Sequence, residues 1–100
     1  MIRHIVMWRL AGESSEEQRL ARERVKRAFE GLRGRIPGLR QIEVGIDRSA
    51  VDYACDVVLV ADFESQQALD GYATHPEHLR IRQELGSLRT TRHQVDYQRY

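Results

Sequence analysis

Residues 55–78 read CDVVLVADFESQQALDGYATHPEH, and the change of pattern within this stretch decides the fold. Its first part has apolar side chains at consecutive positions and predicts a strand over residues 54–63. The part that follows, residues 64–73, predicts a short helix. Pro76 suits the first turn of another helix, because the backbone nitrogen needs no hydrogen-bond partner there. We therefore expect a second helical segment that runs to about Leu85.

The longest helix is predicted near the N-terminus. Ser14 or Ser15 is a suitable N-cap, and an acidic or amide side chain follows three residues later, as in a capping box. Apolar residues then recur at helical spacing, while charged residues occupy the other faces. Gly34 and the Pro37–Gly38 pair are expected to end this helix.

Three further segments have the pattern of strands, at residues 2–10, 40–46 and 91–98. The complete order is β-α-β-β-α-β. This order predicts an α+β, ferredoxin-like fold with a four-stranded antiparallel sheet and both helical regions on one face. No repeat or linker divides the chain, so we expect residues 1–100 to form a single domain.

The sheet is expected to be apolar on both faces, although helices can cover only one of them. The first strand has apolar residues of both parities, among them Val6 and Trp8 on one side and Ile5 and Met7 on the other. The third strand shows the same property. The surplus apolar face predicts a homodimer in which a second copy of the sheet covers it. The alternative is a monomer with an unusually apolar face.

The amino-acid composition limits the classes of partner and the cellular location that are expected. Hydrophobic residues make up 41% of the 100 residues and charged residues 31%, with a net charge of +1. Because the two signs are interspersed, we expect no nucleic-acid partner. The longest apolar run, residues 57–61, is too short to cross a membrane, and the N-terminal segment lacks the apolar core of a signal peptide. With Cys55 as the only cysteine, we expect a cytoplasmic protein without a disulfide.

Several segments together resemble the stress-responsive dimeric α/β-barrel (Dabb) family. They are MIRHIVMWRL at residues 1–10, IPGLRQIEVG at 36–45, residues 55–78 with Phe63, Tyr72 and the HPxH of 75–78, and VDY at 95–97. The resemblance covers essentially the whole chain. It implies a homodimer whose two sheets form a barrel, with a small-molecule pocket between sheet and helices in each subunit. It implies no single activity, since the family includes polyketide cyclases, stress-induced plant proteins and bacterial members of unassigned function.

The resemblance also implies a catalytic group. In the cyclase-type members, the second His of HPxH is a general base, a Tyr six residues earlier supplies a second polar group, and an Asp on the last strand orients the His. His78, Tyr72 and Asp96 match these positions. Histidine can accept and return a proton near neutral pH, and a tyrosine can donate a hydrogen bond to an enolate oxygen. The alternative is that HPxH only starts a helix, with Thr74 or His75 as its cap.

A wider set of residues is expected to bind the ligand. His4 matches a pocket-lining position of the family, and the next two residues of its parity face the same way. Arg92 and Gln94 stand where the cyclases have apolar residues, which favours a smaller, oxygenated or carboxylated ligand. Arg92 is alternatively a solvated strand end. The predicted ligand-binding residues are His4, Val6, Trp8, Phe29, Val57, Leu59, Arg92 and Gln94.

The same residues also suggest metal binding and other functions. His75 and His78 share a helical face, but a zinc site needs three or four ligands and no third ligand has motif spacing. We therefore predict no metal and no cofactor. Three functions stay open: a lyase or polyketide-cyclase-type enzyme that uses His78, a non-catalytic ligand-binding or stress-protective homodimer, and a cofactor-independent monooxygenase that uses Trp8.

Overall fold

The computed structural model describes residues 1–100 and confirms the ferredoxin-like β-α-β-β-α-β order. The strands are β1 (Ile2–Trp8), β2 (Leu39–Ile46), β3 (Val57–Phe63) and β4 (His93–Gln98). The helices are α1 (Ser15–Glu30), α2 (Gln66–Ala73) and α3 (Pro76–Leu85), and a short 3₁₀ turn at Gly86–Leu88 follows α3. The strands form one antiparallel sheet in the order β2-β3-β1-β4. None of the helices combines the length and the apolar character that a membrane span requires.

α1 is capped where the sequence predicts and ends earlier than expected. The Ser14 hydroxyl accepts a hydrogen bond from the backbone N–H of Glu17 at 3.1 Å, which satisfies one of the N–H groups left without a partner at a helix start. The last helical residue is Glu30, whereas Gly34 was the predicted end. The chain instead continues in turns, and these bury Leu32 completely without extending the helix.

The alternation of the strands directs one set of side chains toward the helices. On β1 these are His4, Val6 and Trp8, all buried, as their shared parity predicts. β3 adds Val57 and Leu59 to the same core, which packs against α1 and α2. The candidate site residues of the central strands therefore lie between the sheet and the helices.

The other side of the sheet, here called the open face, is apolar and partly exposed. It comprises Ile5, Met7, Val58, Val60, Val95 and Tyr97, which are neighbours in the strand register. Met7 is 39% exposed and Val95 is 60% exposed. No helix covers these side chains, so the surplus apolar surface that the sequence indicates is present.

The regular part of β3 starts later than predicted, and the carboxylate of Asp56 makes contacts with remote residues just before it. Asp56 accepts hydrogen bonds from the backbone N–H of Leu10 at 2.7 Å and from the guanidinium of Arg22 at 2.9 Å. These contacts tie the segment before β3 to the end of β1 and to α1. The regular strand consequently begins at Val57, and not at residue 54.

The break between α2 and α3 accounts for most of the HPxH motif. His75 is the N-cap of α3, and its Nδ1 accepts a hydrogen bond from the backbone N–H of Glu77 at 3.1 Å. Pro76 is the first residue of the helix, and the carboxylate of Glu77 lies in the first turn, where it complements the helix dipole. His75, Pro76 and Glu77 therefore start the helix, and His78 is left for another purpose.

Candidate functional site

His4 and Asp96 form a hydrogen-bonded pair beneath the helices. They are direct partners in the register of β1 and β4, and their side chains point to the same face. His4 Nδ1 lies 2.6 Å from Asp96 Oδ1, and His4 is only 4% exposed. Because a carboxylate only accepts, His4 Nδ1 donates the proton of this hydrogen bond.

Asp96 does not orient His78, which corrects the expected arrangement. Its second oxygen, Oδ2, accepts from Gln94 Nε2 at 3.0 Å, and Gln94 Oε1 accepts from Arg92 Nε at 3.1 Å. Both carboxylate oxygens are thus occupied by neighbours in the sheet. The physical reason is the strand register, which fixes Asp96 opposite His4, whereas His78 lies on α3.

The backbone of α2 orients His78 instead. Its Nδ1 is 3.2 Å from the carbonyl oxygen of Ala73, so this nitrogen carries the proton and donates. Partial burial lowers the pKa of His78, the hydrogen bond to Ala73 opposes that shift, and nearby arginine charges, among them Arg82 and Arg89, reinforce it. His78 is therefore held as a neutral imidazole, and the lone pair on Nε2 is available to accept a proton.

Tyr72 lies between the two histidines. Its ring centroid is 6.0 Å from that of His4 and 4.3 Å from that of His78. The Tyr72 hydroxyl is buried and has no hydrogen-bond partner in the protein. Burial raises the pKa of Tyr72, so the phenol is a neutral donor. A buried donor without a partner costs free energy, which makes this atom a candidate for contact with a ligand.

The predicted apolar lining residues are packed as core. Val6, Trp8, Phe29, Val57 and Leu59 are each at most 3% exposed. The Trp8 and Phe29 rings are stacked, with centroids 5.1 Å apart and planes inclined by 17°. All five belong to the hydrophobic core between the sheet and the helices, which also contains Tyr72.

The sequence reasoning missed Arg89, which lies over the stacked aromatic pair. Its guanidinium carbon is 5.0 Å from the Trp8 ring centroid and 5.7 Å from that of Phe29. Arg89 is one of fifteen arginines in the chain, and no motif surrounds it. Only the bridge that pairs residue 89 with Leu10 brings this side chain to the site.

A surface cavity lies elsewhere, on the open face. Its volume is about 560 Å³, and its lining includes Met7, Tyr53, Cys55, Val58 and His93. It contains none of the residues that carry acid–base chemistry at the other face. We assign the functional site to the polar cluster, because concave shape alone supplies no reactive group. No three His, Cys, Asp or Glu side chains converge in a way that could hold a metal ion.

Three solved structures share the fold over nearly the whole chain. A dimeric protein of ferredoxin-like fold from Bacteroides fragilis is 30% identical, with a TM-score of 0.86, and 98% of this chain and 95% of that chain are covered. The hydroxynitrile lyase of Passiflora edulis is 17% identical, with a TM-score of 0.76 and coverage of 96% and 90%. An antibiotic biosynthesis monooxygenase is 13% identical, with a TM-score of 0.75 and coverage of 100% and 99%.

The last two likenesses concern the fold alone, since their identities are low and their activities differ. A comparison with curated proteins gives no significant match. The stress responsive A/B barrel domain family, Dabb, matches residues 2–99. Together with the ferredoxin-like sheet, this match over nearly the full length shows that the chain belongs to the Dabb family.

Proposed function

We propose that the protein is a homodimeric, small-molecule-binding Dabb protein that catalyses lyase- or cyclase-type proton transfer, with His78 as the general base. The observation that carries the proposal is Tyr72, whose buried hydroxyl has no partner in the protein and whose ring packs near the imidazoles of His4 and His78. Each imidazole donates through Nδ1 to a fixed acceptor, and His78 is suited to accept a proton at Nε2.

The roles of the three side chains follow from their contacts. His78 is partly exposed and accepts a proton from a carbon or hydroxyl next to a carbonyl or similar group of the substrate. Tyr72 donates a hydrogen bond to the oxygen on which negative charge develops. His4 is too buried to be the first contact of a ligand, and Asp96 fixes its orientation. His4 therefore acts as the inner support of the Tyr72 ring.

The open face supports the homodimer. Its six apolar side chains form one continuous surface on a sheet that lacks any other cover. The Bacteroides fragilis structure, which is 30% identical, is described as dimeric. A second copy that packs its own open face against the first would bury both surfaces by two-fold symmetry.

Proton transfer can be tested without knowledge of the natural substrate. We would follow the exchange of α-hydrogens for deuterium by NMR in a panel of small oxygenated ketones, with wild type and His78→Gln. We expect His78→Gln to lose about a hundredfold or more of the exchange above the buffer rate. Leu79→Gln, at the next and exposed position of α3, is the matched control. If His78→Gln exchanges every active ketone as fast as Leu79→Gln, His78 is not the base.

Non-catalytic binding is the second candidate, and one observation favours it. The five apolar residues predicted to line the pocket are buried in the packed core, so they are not placed to surround a reacting substrate. A protein of this kind would bind a ligand at Tyr72 and His78 and release it unchanged. Saturable binding in the same ketone panel, without exchange above background for any member, would identify this function.

The monooxygenase alternative depends on access to Trp8. Its ring is 3% exposed, is stacked on Phe29 and lies beneath the guanidinium of Arg89. Neither a ligand nor oxygen meets this indole in the packed core. If the wild-type protein consumes oxygen and Trp8→Phe does not, the protein is a monooxygenase and the function proposed above is wrong.

A further inference from the structure

We propose that Arg89, supported by Arg92 and Arg82, forms an anion-binding subsite that takes the carboxylate of a small-molecule ligand beside Tyr72 and His78. The inference rests on the ligand-binding half of the proposed function and is independent of proton transfer. It names a substrate class, a carboxylated small molecule, and a residue that selects it.

The position of Arg89 is fixed by the backbone on both sides. Leu10 and Arg89 form a β-bridge, and the backbone N–H of Thr90 donates to the carbonyl of Arg9 at 2.8 Å. The backbone N–H of Ala11 donates to the carbonyl of Leu88, also at 2.8 Å. An arginine on a segment held in this way is preorganised, so little conformational entropy is lost when a ligand binds it.

The guanidinium of Arg89 is partly desolvated and has no anionic partner. One face of it covers the Trp8 and Phe29 rings. It takes part in none of the salt bridges or side-chain hydrogen bonds of the protein, although almost every other buried charge is paired. A half-buried cation without a counter-charge is costly, and a bound anion removes that cost.

The charges around Arg89 are of the same sign. Burial lowers the pKa of Arg89, and the positive charges of Arg92 and Arg82 lower it further, whereas no carboxylate acts on it. Asp96, the carboxylate on the neighbouring strand, already bonds to His4 and Gln94 through its two oxygens. The local excess of positive charge is therefore available to a ligand.

The excess of positive charge around Arg89 also acts on the side chains that are proposed to react, Tyr72 and His78. Arg89 covers the Trp8 ring, and Trp8 lies on the same buried face of β1 as His4, whose ring centroid is 6.0 Å from that of Tyr72. Arg92 is connected to the same histidine by a chain of hydrogen bonds through Gln94 and Asp96. The positive charges of Arg89 and Arg92 also act on Tyr72 and His78. A ligand whose carboxylate meets Arg89 would therefore present its body to Tyr72 and His78. The planar guanidinium matches a planar carboxylate through two parallel hydrogen bonds, which a neutral amide cannot reproduce.

The test compares benzoate with its neutral isostere benzamide at constant ionic strength. Each probe is titrated into wild type and Arg89→Met while the NMR signals of arginine Nε–H and the histidine rings are followed. Methionine keeps most of the apolar stem over Trp8. We expect benzoate, and not benzamide, to shift the signals of Arg89 and His78, and Arg89→Met to bind benzoate about tenfold more weakly.

The control is Arg48→Met, which removes an exposed arginine that makes no salt bridge. Benzoate affinity should stay within about twofold of wild type in this control. Equal binding of benzoate and benzamide, or equal benzoate affinity in Arg89→Met and Arg48→Met, overturns the proposal. If Arg89→Met does not fold, Arg89→Gln replaces it: glutamine removes the charge and keeps a polar side chain, and an unchanged preference for benzoate over benzamide again overturns the proposal.

The outcomes also separate this inference from the proposed function. His78→Gln keeps Arg89, so it should retain the preference for benzoate whether or not His78 is a base. A wild-type protein that selects benzoate but exchanges no ketone hydrogen contradicts catalysis and supports the anion subsite. Exchange that depends on His78, together with equal affinity for the two probes, supports catalysis and overturns the subsite.

Discussion

Asp96 and His4 are 92 positions apart in the chain, and only 2.6 Å separates Oδ1 of the first from Nδ1 of the second. The pair lies across the junction of β1 and the edge strand β4. It holds a proton on His4 Nδ1 and fixes the orientation of the His4 ring, which packs near Tyr72.

The variant Asp96→Asn tests this pair. An asparagine can present its amide N–H to Nδ1 and no longer favours a single tautomer, so we expect His4 to become a mixture of both forms. Long-range ¹H–¹⁵N NMR of the imidazole reports the tautomer directly. The free energy of unfolding should also fall by about 1 kcal/mol in urea titrations, because a charge-assisted hydrogen bond to a buried imidazole is replaced by a weaker neutral one.

Asp70→Asn is the control for this measurement. Asp70 is exposed on α2 and accepts only from Gln66 at 3.0 Å. We expect its substitution to change the free energy of unfolding by less than about 0.5 kcal/mol. A single Nδ1–H tautomer in both variants would show that Asp96 does not control His4.

Tyr72→Phe should separate stability from function. The variant removes a buried hydroxyl that has no partner, so we expect the free energy of unfolding to rise by about 1 kcal/mol or to stay unchanged. Ligand binding or turnover should fall in the same variant, since the proposed donor is lost. Tyr53→Phe, at an 87% exposed position, should change neither quantity. Clear destabilisation by Tyr72→Phe would mean that the hydroxyl has a structural partner.

The pH dependence of stability should carry a contribution from His78. Its pKa is lower in the folded protein than the ordinary value of about 6.5, so below that pH the unfolded chain binds the proton more strongly. The stabilising contribution is therefore complete above about pH 6.5 and is lost as the pH falls toward the lowered pKa of the folded state.

Urea titrations between about pH 7.5 and pH 5 would detect this contribution. We expect stability to fall less steeply toward acid in His78→Gln than in wild type, while Leu79→Gln keeps the wild-type slope. A direct NMR titration of the His78 ring should give a midpoint below the ordinary histidine value. A midpoint above that value would contradict the assigned environment.

The proposed dimer can be tested at Val95, which is 60% exposed on the open face. Val95→Asp places a charge where a second sheet would pack, and burial of an unpaired carboxylate is costly. Sedimentation velocity should show the mass of two chains for wild type and of one chain for the variant. Leu20→Asp, at a 52% exposed position of α1, should remain dimeric. A wild-type monomer at micromolar concentration would exclude the dimer.

The local pattern of the chain predicted most of the fold. Alternation over residues 2–8 predicted that His4, Val6 and Trp8 share one face of β1, and Pro76 marked the start of α3, as the structure confirms. The predicted start of β3 was wrong because the carboxylate of Asp56 binds Leu10 and Arg22, which are remote in the chain. Patterns of period 2 and 3.6 depend on neighbouring residues, and they contain no information on such distant contacts.

The sequence by itself determined the order of helices and strands, the shared face of His4 and Trp8, and the surplus of apolar residues on both faces of the sheet. Its resemblance to the family also pointed to Tyr72 and His78, which lie on either side of the break between α2 and α3. Only the tertiary structure showed that Asp96 is hydrogen-bonded to His4 and that Arg89 lies over Trp8. The physical reason is that strand register and the bridge at Leu10 are set by packing between segments at opposite ends of the chain. Burial and electrostatic contacts, which give these side chains their chemistry, arise only when those segments meet.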